Sequence, residues 1–394
     1  MNTVYKPAIV VAGYNRKDSL KRVLYSLKEA TYTENDISLI ISLDKSNKTP
    51  DLLALAEDFK WDYGEKRIRV FDFRQGLRKH IISCGDLSFQ YGSIIMLEDD
   101  VVVGKDFYQY VKEALKFYEY DEKIAGIALY SHKYNGYAGK RFEPIHNGYD
   151  TFLGQFSITW GQCWTSQQWK NFKNWYEKNN QSLVERDDIP HQIPNWPESS
   201  WGKYFVYYIV NNDKYYVIPY EAHSTCFSDI GQHTGKSDSL NQVPITLGKR
   251  KYNFASYEVA EKYDIYMENI DLERFLGGDY KKNTVCSNIF GQKPSFLGKR
   301  YMLTMKQLDY EILQSFALKM YPPELNIVYR ILGSDIFLYD STHKCKNDFK
   351  KQKIRIHNYE MRELKNYKEV FYFLLKYIVE KSIKKLKQVV MKLF

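Results

Sequence analysis

The chain has 394 residues, 44% of them hydrophobic and 27% charged, with a net charge of +9. That balance belongs to a globular protein of one large or two modest domains and excludes a disordered or fibrous chain. No run of about 20 apolar residues exists, and the opening Met-Asn-Thr-Val-Tyr-Lys-Pro lacks an apolar leader core, so neither a membrane-spanning helix nor a signal peptide is expected and the chain is assigned to the cytoplasm.

The charge is concentrated. Residues 350–394 hold 13 Lys/Arg against four Glu, and the first 349 residues are neutral. A nucleic-acid-binding body would carry its basic residues along the fold, so nucleic acid is not expected as a partner. A basic tail that meets an acidic surface is. The five cysteines (Cys84, Cys163, Cys226, Cys286, Cys345) are scattered without a CxxC and read as reduced thiols.

The first 130 residues alternate between two periods. Ala8–Tyr14 is an apolar run with a β-branched centre and predicts a buried strand. Leu20, Val23, Leu24 and Leu27 then recur at helical spacing. Ser38–Asp44 predicts a second strand, Leu52–Phe59 a short helix and Arg67–Phe73 a third strand. Leu77–Gln90 predicts a helix interrupted near Gly85. Ser93–Leu97 is a fourth strand, Phe107–Tyr118 a helix and Ile124–Tyr130 a fifth strand. The alternation predicts an α/β fold, a mixed and mostly parallel sheet with helices on both faces. Ligands of such sheets bind beyond the carboxyl ends of the strands. From residue 132 to 235 helical periodicity weakens and six of the seven tryptophans appear. Residues 236–350 are Tyr-rich and carry no clear period, and 351–394 read as a helical extension.

The strongest chemical signal is Leu97-Glu98-Asp99-Asp100. Three carboxylates where a buried strand leaves the sheet repel one another unless a cation neutralises them. Hard oxygen donors suit Mg²⁺ or Mn²⁺, and Mg²⁺ commonly combines one or two carboxylates with substrate phosphates. Neither GxxxxGK[ST] nor GxGxxG occurs, so a phosphate-loop ATPase and a dinucleotide dehydrogenase lose their main support.

Four segments in this order resemble the GT-A-fold glycosyltransferases, above all the inverting N-acetylglucosaminyltransferases of complex N-glycans and bacterial family 2-type enzymes. They are Ile9-Val10-Val11-Ala12-Gly13-Tyr14-Asn15-Arg16, Ile41-Ser42-Leu43-Asp44, Leu97-Glu98-Asp99-Asp100 and Thr159-Trp160-Gly161-Gln162-Cys163-Trp164. The resemblance implies a UDP-sugar donor. It makes Ala12, Tyr14, Asn15 and Arg16 the nucleotide loop and Asp44 the acceptor for the uracil N–H, although Asp-Lys-Ser-Asn also reads as a turn. Asp100 becomes the metal ligand, Glu98 and Asp99 contact ribose or metal-bound water, and Trp160 and Gly161 lie beneath the donor sugar. Arg78 stands ready for the diphosphate, with a solvated basic helix start as its alternative.

Inversion needs one general base. The family's acidic pair beside tryptophan falls in Trp196-Pro197-Glu198-Ser199-Ser200-Trp201, where one acid remains. Glu198 is the first candidate, and Asp187 and Asp188 are the reserves. His233, in Gly231-Gln232-His233-Thr234-Gly235, is a candidate to complete the metal shell from a lid with glycine hinges, as is His223. These readings divide the chain into a nucleotide-sugar and catalytic domain at 1–235, an accessory region at 236–350 and a basic amphipathic tail at 351–394. Phe371, Leu375, Ile378, Ser382, Leu386, Val389 and Leu393 form the tail's stripe, with lysines mostly off it. That pattern suits an anionic membrane surface, and packing on the body or on a second copy is the alternative. The whole then reads as a metal-dependent transferase, peripheral on the inner face of a bacterial membrane, acting on a glycan or lipid-linked acceptor in surface polysaccharide synthesis. A sugar nucleotidyltransferase and a carbohydrate-binding scaffold are the alternatives.

Overall fold

The computed structural model describes residues 5–181, 183–227, 229, 239–248, 251–349, 351–362 and 366–390. In chain order it runs β1 (Ala8–Gly13), α1 (Lys17–Lys28), β2 (Leu39–Leu43), α2 (Thr49–Asp58), β3 (Lys66–Val70), α3 (Leu77–Gly85), α4 (Ser88–Tyr91), β4 (Ser93–Glu98), β5 (Val101–Val103), α5 (Phe107–Phe117) and β6 (Ile124–Ala128). A two-residue ribbon follows, β7 (Tyr134–Asn135) with β8 (Lys140–Arg141). Then come β9 (Thr151–Gly154), β10 (Gln162–Thr165), α6 (Ser166–Asn179), α7 (Gly202–Asn211), β11 (Tyr215–Pro219), β12 (Ser224–Cys226) and β13 (Lys262–Tyr263). The remainder is β14 (Val285–Ser287), β15 (Tyr301–Thr304), β16 (Tyr310–Phe316), α8 (Leu325–Val328), β17 (Ile336–Lys344), α9 (Gln352–Glu360) and α10 (Tyr367–Val390).

Nine strands form one sheet in the order β13-β9-β11-β6-β10-β4-β1-β2-β3. The β3-β2-β1-β4 quartet is parallel throughout, and β10 enters antiparallel between β4 and β6. The sheet is therefore mixed and mostly parallel, as the periodicity predicted. β1 is apolar throughout because both its faces are covered: Ile9 and Val11 join one core with α1, α2 and α5, while Ala8, Val10 and Ala12 join the other with α3, α6 and α7. Trp164, Trp169 and Phe172 anchor that second core.

The predicted break near Gly85 is present, with α3 ending at Gly85 and α4 starting at Ser88. A Cβ on Gly85 would lie 2.0 Å from the Trp169 ring, so only glycine lets α3 approach α6. α6 is started by a reciprocal capping box, in which the Thr165 hydroxyl accepts from Gln168 N and the Gln168 side chain accepts from Thr165 N.

The stretch 285–344, which sequence periodicity left unassigned, is a four-stranded sheet, β14-β15-β17-β16, with its own apolar core around Val285, Leu303, Phe316, Ile336 and Leu338. The basic C-terminal region is helical. α9 docks on this sheet: the buried Gln352 side chain donates to Met305 O (2.9 Å) and Asp335 O (2.8 Å), and Arg355 pairs with Asp335 at 2.6 Å. α10 differs. From Tyr367 to Ile383 its side chains are exposed, Val370 alone being half-buried, so packing on the body is not realised there. Among the described residues no helix is long and apolar enough to cross a membrane.

Candidate active site

Three strand ends meet at one cavity of 420 Å³. The β1 end supplies Ala12, Gly13, Tyr14, Asn15 and Arg16, the β2 end Asp44, and the β4 end Glu98, Asp99 and Asp100. Parallel register brings them together: Ala12 lies opposite Ser42 on one side and Glu98 on the other. Trp160, Ser199, Phe227, Asp229 and Asn241 close the cavity from other loops.

Its electrostatics are dominated by Arg16. The guanidinium pairs with Asp99 and, at 3.0 Å, with Asp100. Burial works against the Arg16 charge, but the two carboxylates outweigh it and hold the guanidinium protonated. Asp99 also accepts from Tyr14 N at 3.4 Å. Burial pushes the Asp99 carboxyl up to about 6 despite Arg16. Glu98 is pushed further, to about 8, by burial and then by Asp100 and Asp99. No hydrogen bond to the Glu98 carboxyl occurs among the described residues. The cluster is thus partly neutralised by one internal cation and still carries mutual repulsion. Glu98 is unpaired, and a hard divalent cation beside Asp100 would relieve the repulsion that Arg16 relieves only in part, but Glu98, Asp99 and Asp100 do not bring three oxygens close enough to share one ion as they stand.

Asp44 is buried, and its carboxylate accepts three backbone N–H groups, Lys45 N (2.8 Å), Gln75 N (2.7 Å) and Gly76 N (2.9 Å). Its first evident work is therefore to fix the loop from β3 into α3, where Gly76 sits at φ +75°. That loop brings Arg74 over the Tyr14 ring, 5.1 Å from its centroid, at the cavity wall.

A second cavity of 430 Å³ adjoins the first. The two share Leu77, Glu98, Trp160 and Asn241. Its walls are aromatic (Tyr134, Tyr137, Phe156, Trp160, Trp196, Trp201), and His132 and Ser200 also line it. Gly161 lies behind Trp160 at φ +98°, where a Cβ would meet Ser224 Oγ at 2.9 Å. β12 pairs antiparallel with β5 directly after the acidic cluster, and Phe227 follows it at the cavity wall. Tyr130 donates to Asn241 O at 2.8 Å.

The candidate bases lie elsewhere. Glu198 lines neither cavity. Its largely exposed carboxylate accepts from Lys203 (2.6 Å) and Tyr204 (3.3 Å), with Arg78 at 3.5 Å. The Lys203 hydrogen bond holds it below the ordinary carboxylate range, which weakens it as a base. Arg78 is spent on Tyr204 and Glu198 and does not line the charged cavity. Asp187 accepts from Ser295 Oγ (2.8 Å) and Asp188 pairs with Arg186, both outside the two cavities. His223 is buried in a stack on Tyr110, with centroids 4.3 Å apart, and does not line either cavity. His233 lies outside the described residues. Sequence reasoning missed Arg74, His132, Asp229 and Asn241. Arg74 alone had a signal, since it follows the third parallel strand. The other three sit on loops that only the tertiary structure brings inward.

No family model and no curated protein matches the chain. Its sheet is similar to those of solved GT-A glycosyltransferases. S. aureus TarS in complex with UDP-GlcNAc is 12% identical, with a TM-score of 0.37 over 57% of this chain and 60% of that one. GalNAc-T7 with UDP, GalNAc and Mn²⁺ is 14% identical, with a TM-score of 0.38 over 54% and 42%. The mannosyltransferase PcManGT from Pyrobaculum calidifontis, in complex with GDP-Man and Mn²⁺, is 11% identical, with a TM-score of 0.28 over 41% and 46%. The chain spans between 36% and 60% of the length of these and the full TarS chain. Identities this low and scores below 0.5 leave the site to be argued from this chain's own residues.

Proposed function

We propose that the protein is a metal-dependent glycosyltransferase that moves a sugar from a UDP-sugar to an acceptor hydroxyl with inversion. The observation that carries this reading is the junction of two unlike cavities. One is charged and lies at the carboxyl ends of parallel strands, the location expected for a nucleotide. The other is aromatic and suits the apolar faces and polar edges of a sugar. Glu98 and Trp160 stand where they meet, which is where a transferred group would sit. Asp100, with Glu98 and Asp99 beside it, would hold Mn²⁺ or Mg²⁺, which neutralises the charge of a departing diphosphate. Arg16, paired with Asp100 here, would then be free to meet the phosphates. Tyr14, Asn15 and Arg74 border the nucleotide, and the Asp44-fixed loop keeps Arg74 in reach. Gly161 sets the backbone turn that presents Trp160.

The acceptor is a glycan or lipid-linked sugar, and the setting is bacterial surface polysaccharide synthesis at the inner face of the membrane. The exposed α10 supports that setting, since its side chains from Phe371 to Phe373 and from Leu374 to Val379 offer apolar surface beside Lys376 and Lys381. Each lysine near an anionic surface contributes about 1 kcal/mol. The test is UDP release from a panel of UDP-sugars and sugar acceptors, with Mn²⁺ or with EDTA. Mn²⁺-dependent release is expected. Release from no donor, with glycan binding retained, would instead make the protein a carbohydrate-binding scaffold.

A further inference from the structure

An inverting transfer needs a proton acceptor beside the nucleophile, and the one acid in the turn before α7, Glu198, does not line the cavity. Trp196, Pro197, Ser200, Trp201 and Gly202 line it, while Glu198 turns outward to Lys203. The ionisable side chains lining the aromatic cavity among the described residues are Glu98, His132 and the phenols of Tyr134 and Tyr137. Glu98 belongs to the carboxylate cluster. His132 remains as the one nitrogen base.

Its setting is specific. The imidazole is caged edge-on by Tyr130 (5.0 Å between centroids), Phe156 (5.5 Å) and Trp160 (6.1 Å), and Trp160 is one of the four residues common to both cavities. Its Nδ1 is shut off from solvent and has no hydrogen-bond partner. Histidines held only for structure usually satisfy both ring nitrogens. Burial lowers its pKa to about 4, so the ring is neutral at physiological pH, and the same burial makes it a weaker base than an exposed imidazole.

We infer that His132 is the catalytic base that takes the proton of the acceptor hydroxyl. The inference rests on the transferase reading above. In the step, the acceptor oxygen forms a bond to the anomeric carbon of the donor and gives its proton to the His132 imidazole. The bond from that carbon to the diphosphate oxygen breaks, and its electron pair leaves with UDP.

The experiment compares His132→Ala and His132→Gln with wild type, using the UDP-sugar and acceptor pair on which wild type releases UDP most rapidly. Glutamine keeps volume and polarity should the alanine variant fail to fold. Thermal stabilisation by UDP with Mn²⁺ is read in parallel. The expected result is a kcat lower by about 10²- to 10⁴-fold, with UDP stabilisation unchanged and partial rescue of the alanine variant by added imidazole. A kcat within threefold of wild type in the variant that retains UDP stabilisation would overturn the assignment. Wild type that neither binds UDP nor releases it would instead overturn the transferase reading, and His132 with it.

Discussion

The two cavities that meet at Glu98 and Trp160 are built by different means. The charged one is made of strand ends: Ala12, Asp44 and Glu98 belong to or directly follow adjacent parallel strands, and register alone brings them together. The aromatic one is made of loops, with His132 and Tyr134 after β6, Phe156 after β9, and Trp196 and Trp201 before α7. The chemistry on the strand ends is therefore written locally in the chain. The chemistry on the loops depends on contacts between segments far apart in sequence, such as Tyr130 with Asn241.

The largest effect is expected from Asp100→Asn. Removing the charge proposed to hold the metal should lower the rate of UDP release by roughly 10³-fold or more, several kcal/mol of transition-state stabilisation, with the melting temperature little changed. A fully active variant would separate the acidic cluster from the chemistry.

Trp164→Ala tests the scaffold under both cavities. Trp164 is wholly buried, and its indole N–H donates to Tyr216 OH at 3.1 Å. Truncation should cost about 3–5 kcal/mol in chemical denaturation. A loss below about 1 kcal/mol would mean that this core is not packed as described.

Gly161→Ala sharpens the hinge between the cavities. At φ +98°, with Ser224 Oγ in the way, an added methyl should destabilise by about 1–3 kcal/mol and raise the donor KM through the displaced Trp160 backbone. Unchanged stability and KM would show that the turn tolerates a side chain. The smallest effect is expected from Glu198→Gln, with kcat within about threefold of wild type, because this carboxylate is exposed and turned to Lys203. A loss of 10²-fold or more, read in the same UDP-release assay, would return the base to Glu198 and remove the argument for His132.

Much of the sheet was legible because its strands are either buried on both faces or followed by amphipathic helices. Ala8–Gly13 and Leu39–Leu43 are uninterrupted apolar runs, and α1 buries Leu20, Val23, Leu24 and Leu27 as spaced. The acidic cluster was legible because carboxylates that end an apolar strand have few bland explanations. Other features were not. β14 has three residues and β15 four, too few to show a period. Glu198 and Ser200 are two positions apart in the turn before α7, and the sequence could not tell which faced the cavity. Asp44 has a reading in either register, since a carboxylate bound to three backbone N–H groups is a loop clasp whatever else it contacts. His132 carried no local signal, because its aromatic cage comes from Tyr130, Phe156 and Trp160.

The most direct measurement is calorimetric titration of UDP into wild type and Asp100→Asn, each with Mn²⁺ and with EDTA. The account predicts UDP binding by wild type that is strong with Mn²⁺ and at least tenfold weaker in EDTA, and that Asp100→Asn loses the difference while unfolding at the same temperature. Equal affinity with and without metal, or no binding of UDP by wild type under either condition, would contradict it.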